Sequence, residues 1–123
     1  MKLSFSQLAG GYSIAKLPPD AALPDWADGA GLVSITRALD ELSIVCPTER
    51  APQDADHGWV ALRVDTLAAL DEPGVVMAAV TPISSAGYGV FVISSHLRDH
   101  LLVRNADIAA VAKTLMGAGH SIV

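Results

Sequence analysis

The clearest chemical signal in the sequence is LDEPGVV at residues 70–76, where two carboxylates, a proline and a glycine precede an apolar run. If a helix begins here, its first turn has unpaired backbone N–H groups and a partial positive charge, which favour a bound carboxylate. Gly74 and Val75 would supply those N–H groups. Gly74 also lets a ligand approach the backbone without meeting a Cβ, and Pro73 lacks only an N–H that the first turn leaves unpaired. This junction is therefore a candidate carboxylate site.

The acidic residues of the junction have two interpretations. Asp71 and Glu72 would disfavour a second carboxylate nearby and favour a cationic group on a ligand. Alternatively, one of them only caps the helix, Pro73 is an ordinary first-turn residue, and Gly74 allows close packing. The residues alone leave both interpretations open.

Other kinds of chemistry have less support. His96 and His100 flank a predicted turn rather than sharing a helical face, and zinc would need further ligands, so no metal is expected. No G-x-S-x-G spacing or paired acid and base indicates catalysis. The single Cys46 lies in the apolar string LSIVC and is predicted to be a buried small hydrophobe. We therefore expect a non-enzymatic protein without a cofactor.

Composition narrows the class of protein. The chain has 123 residues, of which 51% are hydrophobic and 17% charged, which indicates a folded domain rather than a disordered chain. A net charge of −5 without a basic cluster argues against a nucleic-acid partner. No uncharged apolar span is long enough for a membrane helix, and the N-terminal residues lack the apolar core of a signal peptide. The expected location is the cytoplasm.

The first half of the chain has the pattern of a strand-rich module. YSIAKL is a short β-leaning run, and a loop rich in proline follows it. GLVSITR and LSIVC then predict an antiparallel hairpin that turns at residues 38–41. The polar segment at 48–58 marks the expected boundary, which gives an N-terminal module at 1–57 and a C-terminal module at 58–123.

The second half alternates between strand and helix patterns. WVALRVD predicts a strand, and helical spacing from Val75 predicts a helix over 73–86, which Pro82 should kink near Ala78 or end early. GVFVIS and HLLVR predict two strands, and Asn105 is expected to cap a last helix with Ile108, Val111, Leu115 and Met116 on its apolar face. With SIV as a final strand, this order is the α+β split βαβ arrangement, an antiparallel sheet with both helices on one face.

These elements resemble the ACT domain, and specifically the short bacterial proteins with two ACT modules. The resemblance covers nearly the whole chain and is carried by IAKLPPDAALPDW, SITRALDELSIVCP and DEPGVVMAAVTPISSAGYGVFVISS followed by DHLLVR. The chain is also similar to one half of the CASTOR-type arginine sensors, which implies a homodimer. The implied fold is a tandem of ferredoxin-like βαββαβ modules, the N-terminal one degenerate in helix.

The resemblance implies regulation by a small amino acid, held where the ACT modules of a homodimer meet. The expected ligand-binding residues are those of the helix-entry loop and of the family's second strand, namely Leu70, Asp71, Glu72, Gly74, Val75, Ser94, Ser95 and Asp99. Asp99 is the candidate acceptor for the ligand ammonium, and either serine can hydrogen-bond the ligand. His96, Leu97 and Arg98 depart from the family pattern.

Two functional hypotheses follow. The first is a non-enzymatic sensor whose amino-acid ligand changes its contacts with a protein target. The alternative is a ligand-independent interaction module that uses the ACT scaffold to assemble with an enzyme of amino-acid metabolism. An enzyme acting on small metabolites lacks any supporting constellation of residues. A response to added amino acids would separate the first two hypotheses.

Overall fold

A computed structural model describes all residues 1–123, which form two compact units. The helical unit comprises Met1–Ala9 and Val60–Val123, and the strand unit comprises Gly10–Trp59. The strands and α-helices follow the chain as β1 Ser4–Gln7, β2 Tyr12–Leu17, β3 Ser34–Arg37, β4 Leu42–Pro47, β5 Asp56–Val64, α1 Val75–Ser85, β6 Phe91–Ser94, β7 Asp99–Arg104, α2 Ile108–Gly117 and β8 Ser121–Ile122. The predicted α+β class, ferredoxin-like with a helix-poor N-terminal part, is confirmed.

The strand unit contains the predicted hairpin. Strands β3 and β4 pair antiparallel, and the turn between them closes with a 2.8 Å hydrogen bond from the Ala38 N–H to the Glu41 C=O. Strand β2 pairs antiparallel with the other side of β4. A small core forms around Leu42 and Ile44 of β4, with Trp26 packed against it. Cys46 is fully buried, as predicted, and burial raises the pKa of its thiol.

Two arginines hold the proline-rich loop of the strand unit. The guanidinium of Arg37 donates to the carbonyl oxygens of Pro19 and Ala21, the latter at 2.9 Å. Arg50 donates to the carbonyl oxygens of Trp26 at 3.3 Å and Ala30 at 2.7 Å. These bonds order a segment that contains only one short 3₁₀ turn, because the side chains satisfy carbonyls that a helix or sheet would otherwise pair.

The sheet of the helical unit has the strand order β6–β7–β5–β1–β8. Strand β1 runs antiparallel to β5, with Phe5 opposite Val64, and β8 runs parallel to β1. The expectation that the first strand is YSIAKL missed β1. Its signal is a short alternation in which Leu3 and Phe5, 2% and 1% exposed, flank a more exposed Ser4.

The units divide the chain differently from the predicted modules. The expected boundary between residues 57 and 58 lies within β5, which contributes residues to both units. Residues 1–9, assigned from sequence to the N-terminal module, belong to the unit that also contains residues 60–123. Hydrophobic patterning identifies a strand but not its pairing partner, and here β1 pairs with strands more than fifty residues later in the chain.

Both helices pack on one face of the sheet of the helical unit. Ala79 and Ile83 of α1 and Val111 and Leu115 of α2 share one core with side chains of β1, β5 and β7. Met116, expected on the apolar face of α2, is 53% exposed. No side chain caps α2, so the capping role predicted for Asn105 is wrong. A short 3₁₀ turn at Asn105–Asp107 leads into α2 instead. Neither helix has the length and apolar character to cross a membrane.

Helix α1 continues through Pro82 to Ser85, so of the two expected effects of this proline the early end is wrong, and the kink near Ala78 stays a prediction. Pro82 has no N–H, so the Ala78 carbonyl one turn earlier loses its helical partner. His120 replaces that partner, since its Nε2 lies 2.9 Å from the Ala78 carbonyl oxygen. The Leu3 N–H donates to Nδ1 of the same ring at 2.9 Å, which fixes the neutral tautomer that carries its proton on Nε2. His120 is 7% exposed, and its two hydrogen bonds link α1 to the backbone of Leu3, directly before β1.

Candidate functional site

The start of α1 is shaped by Gly74. This residue has φ +90°, in the left-handed region, and the first residue of α1 is Val75. A Cβ at position 74 would meet nothing nearer than Met1 Cε at 4.0 Å, so the backbone conformation and not crowding requires glycine. The surface beside this helix start is therefore open to a ligand.

No side chain caps α1, so the interpretation of Asp71 or Glu72 as its cap is wrong. A carboxylate oxygen of Glu72 instead accepts a weak hydrogen bond, at 3.4 Å, from the Ala69 N–H within the loop that precedes the helix. The N–H groups of the first turn of α1 are thus left without a side-chain acceptor, which is the condition for binding an anion from solution.

The second candidate stretch forms the hairpin between β6 and β7. Ser94 pairs with Asp99 across the two strands. Both the N–H and the hydroxyl of Ser95 donate to the Arg98 carbonyl oxygen, at 3.2 and 2.8 Å. This tight turn fixes the backbone from which the Arg98 and Asp99 side chains extend.

A cavity of about 340 Å³ lies between the helix start and this hairpin, entirely within the helical unit. It lies within the size range of small-molecule sites, ~300–1,000 Å³. Of the residues expected to bind a ligand, Asp71 does not line the cavity, and the others do, namely Leu70, Glu72, Gly74, Val75, Ser94, Ser95 and Asp99. The structure brings the two stretches together, and their binding of a ligand stays a prediction.

Several lining residues were not among the expected ones. Val64 is the last residue of β5 and Thr66 lies just beyond it, and Val76, Leu97 and Arg98 also contribute. The rim is unusually apolar for an exposed surface, because Leu70 is 72%, Val76 38% and Leu97 55% exposed. A signal for the rim was present in the sequence, since Leu97 stands apolar in an otherwise polar turn.

The charged side chains of the cavity are Glu72, Asp99 and Arg98. Arg98 also forms a loose ion pair, with Nη1 3.7 Å from Oδ1 of Asp65. Asp65 has nearer partners, because Arg63 Nε lies 2.6 Å from the same oxygen and the Ser6 hydroxyl donates to the other. Burial alone would raise the pKa of Asp65, but these hydrogen bonds and the charges of both arginines hold it below its ordinary value.

His100 lies beside this cluster on β7. Burial lowers the pKa of its imidazole, and the positive charges of Arg98 and Arg63 lower it further against the opposing effect of Asp99 and Asp65. Its Nδ1 is buried without a hydrogen-bond partner. No group of three or more His, Cys, Asp or Glu side chains is arranged to hold a metal ion.

The strand unit contains one serine–histidine pair that spacing could not reveal. Ser13 Oγ lies 2.6 Å from Nδ1 of His57, and Nε2 of that ring lies 3.0 Å from the Gln53 carbonyl oxygen. Since a carbonyl only accepts, Nε2 carries a proton, and in the neutral ring Nδ1 accepts from the serine hydroxyl. Ser13 is fully buried, so a substrate has no access to it, and the pair acts as a structural link.

Two family profiles match the chain. The ACT domain profile matches residues 54–116. A profile for an N-terminal domain matches residues 10–54. No curated protein matches the chain.

Solved structures extend the comparison. A protein from Agobacterium tumefaciens is 46% identical, with a TM-score of 0.94 over 100% of this chain and 93% of its own. The regulatory subunit of aspartate kinase from Thermus thermophilus, in its ligand-free form, is 10% identical, with a TM-score of 0.60 over 89% of this chain and 93% of its own. Aspartokinase III from E. coli, in complex with aspartate and ADP, is 11% identical, with a TM-score of 0.64 over 94% of this chain and 32% of its own. At this level of identity, the similarity to these two structures shows that the chain shares their fold.

Proposed function

Because this chain belongs to the ACT domain family, we propose that it is a non-enzymatic regulatory protein that binds a free amino acid. The ligand occupies the cavity between the start of α1 and the β6–β7 hairpin. A second copy of the chain covers that cavity in a homodimer, and occupancy changes the contacts of the dimer with a protein target. The similarity to regulatory parts of aspartate kinases supports this role at the level of fold.

The observation that carries the proposal is the convergence of complementary groups on one cavity. An amino acid carries a carboxylate and an ammonium group. The amides of Gly74 and Val75 lie at an uncapped helix start, where a carboxylate is favoured, and Asp99 accepts from the ammonium. Ser94 and Ser95 supply further hydrogen bonds. Glu72 then favours a ligand side chain that is cationic or donates hydrogen bonds.

The apolar rim supports the homodimer. Leu70, Val76 and Leu97 are exposed around the mouth of the cavity, and strand β6 pairs on only one side, with β7. An exposed strand edge beside an apolar rim is a surface that a second copy can cover by the same contacts in both directions.

Thermal-shift measurements with each of the twenty L-amino acids test the proposal. A ligand at a hundredfold excess over its Kd stabilises the folded protein by about 2.7 kcal/mol. We expect at least one amino acid to raise the Tm, and Asp99→Ala to remove the shift without lowering the Tm of the free protein. Asp71→Ala is the matched control, because Asp71 is exposed and outside the cavity lining, and it should keep the shift.

Two outcomes contradict the proposal. If no amino acid raises the Tm, the ligand-binding function is wrong, and a complex from cell extract that ignores added amino acids would then support the interaction module. If light scattering gives the mass of one chain with and without ligand, the homodimer is wrong. Leu97→Lys, which places a charge on the apolar rim, should convert a wild-type dimer to monomer.

A further inference from the structure

Arg98 differs from every other residue that lines the cavity, because it is the only lysine or arginine among them. Its side chain is 19% exposed, and its single ion pair, to Asp65 at 3.7 Å, is longer than a hydrogen bond. The guanidinium therefore has donors that the protein itself does not use. The hydrogen bonds from Ser95 to the Arg98 carbonyl fix the backbone, so the side chain can change partners without moving the hairpin.

The charges of the cavity explain why a carboxylate needs this residue. Glu72 and Asp99 contribute two negative charges to the lining, and the start of α1 contributes a partial positive charge of only about half a unit. The carboxylate of a ligand that enters this cavity is repelled by them unless a full positive charge is available. Arg98 provides that charge, and its planar guanidinium matches the geometry of a carboxylate.

Asp65 can release Arg98 at small cost. One carboxylate oxygen of Asp65 is already 2.6 Å from Arg63 Nε, and the Ser6 hydroxyl donates to the other. If Arg98 turns toward the cavity, Asp65 keeps both of these partners. The ion pair between Arg98 and Asp65 thus holds the guanidinium near the cavity without committing its hydrogen-bond donors.

We infer that Arg98 is the specificity-determining residue for the ligand carboxylate, and that it exchanges Asp65 for this carboxylate when the ligand binds. This inference rests on the proposed function and defines its ligand class further. The site requires a free α-carboxylate, so an amine with the same side chain but without that group binds weakly. Asp65 acts as a competitor whose removal strengthens binding.

The test compares the twenty L-amino acids with their α-carboxamides, which keep the ammonium and side chain but lack the negative charge. Calorimetry on the full chain is expected to show binding of a free amino acid and weak binding of its amide. Arg98→Gln should weaken binding of the free amino acid by about 10- to 100-fold and change binding of the amide by much less. Asp65→Asn should tighten binding of the free acid several-fold. Lys113→Gln, the same loss of charge on the exposed side of α2, should change neither.

The outcomes separate this inference from the function on which it rests. If wild-type protein binds a free amino acid and its amide equally, or if Arg98→Gln weakens both equally, Arg98 does not select the carboxylate, although amino-acid binding stands. If wild-type protein binds neither, both are wrong. Should Arg98→Gln fail to fold, Asp65→Asn decides the question, because unchanged or weaker binding of the free acid in that variant contradicts the exchange.

Discussion

Arg98 and Arg63 affect His100 as well as Asp65, and this effect can be measured without a ligand. Burial lowers the pKa of His100 most, followed by the charge of Arg98 and then that of Arg63. Because a nearby positive charge disfavours the imidazolium, removing it must raise the pKa.

We therefore predict that Arg98→Gln raises the pKa of His100, that Arg63→Gln raises it by a smaller amount, and that burial keeps it below the ordinary histidine value in both variants. NMR titration of the imidazole resonances measures these values, with Lys113→Gln as the control. An unchanged or lower pKa in Arg98→Gln would show that the guanidinium lies farther from His100 than the structure has it.

Helix α1 illustrates how one side chain lets a regular element contain a proline. Pro82 leaves the Ala78 carbonyl without a helical donor, and His120 supplies one from outside the helix. The same ring accepts from the buried Leu3 N–H and packs edge-on against Phe5, with ring centroids 5.6 Å apart. Proline at position 82 and histidine at position 120 therefore depend on each other.

A double-mutant cycle measures this dependence. His120→Leu leaves two buried backbone groups without partners and should lower the free energy of unfolding by about 2–5 kcal/mol. In the Pro82→Ala background, the new N–H at position 82 pairs with the Ala78 carbonyl. There His120→Leu should lower the free energy of unfolding by a smaller amount, with a difference of about 1 kcal/mol or more. Urea denaturation of the four proteins gives the coupling free energy. Strict additivity would mean that His120 does not replace the partner that Pro82 removes.

The molecule as a whole depends on its N-terminal strand, because β1 lies between β5 and β8 in the helical unit. Leu3 and Phe5 are almost fully buried in its core, and burial of each contributes about 1.5–3 kcal/mol. That sum is a large part of the ~5–15 kcal/mol by which a small domain is stable.

We predict that a fragment of residues 58–123 does not fold alone, although it contains every element of the expected C-terminal module. A synthetic peptide of residues 1–11 should restore a dispersed NMR spectrum when it is added. The same peptide with Phe5→Ala should not, whereas Lys2→Ala, at an exposed position, should. A dispersed spectrum from the fragment alone would contradict this role of β1.

Local pattern was enough to predict most elements and their class. The hairpin of β3 and β4, the helix that begins near Gly74 and the strands on either side of Ser95 each follow from residues close together in the chain. For the strands and helices the sequence alone was sufficient, because hydrogen bonds and turns within a segment depend on neighbouring residues. Of the two stretches of the candidate site, local pattern singled out only the one at residues 70–76, the other came from the resemblance to the ACT domain, and ligand binding by both stays a prediction.

Only the tertiary structure decided how these segments combine. It placed β1 beside β5 and β8, gave the Ala78 carbonyl to His120, and put Glu72 but not Asp71 on the cavity lining. It also brought Arg98 between Asp65 and the cavity, although the turn that carries it departs from the family pattern. These contacts join residues far apart in the chain or depend on the direction of a single side chain. Packing of the whole unit fixes the distant contacts and the side-chain directions, and neither of these leaves a periodic signal in the sequence.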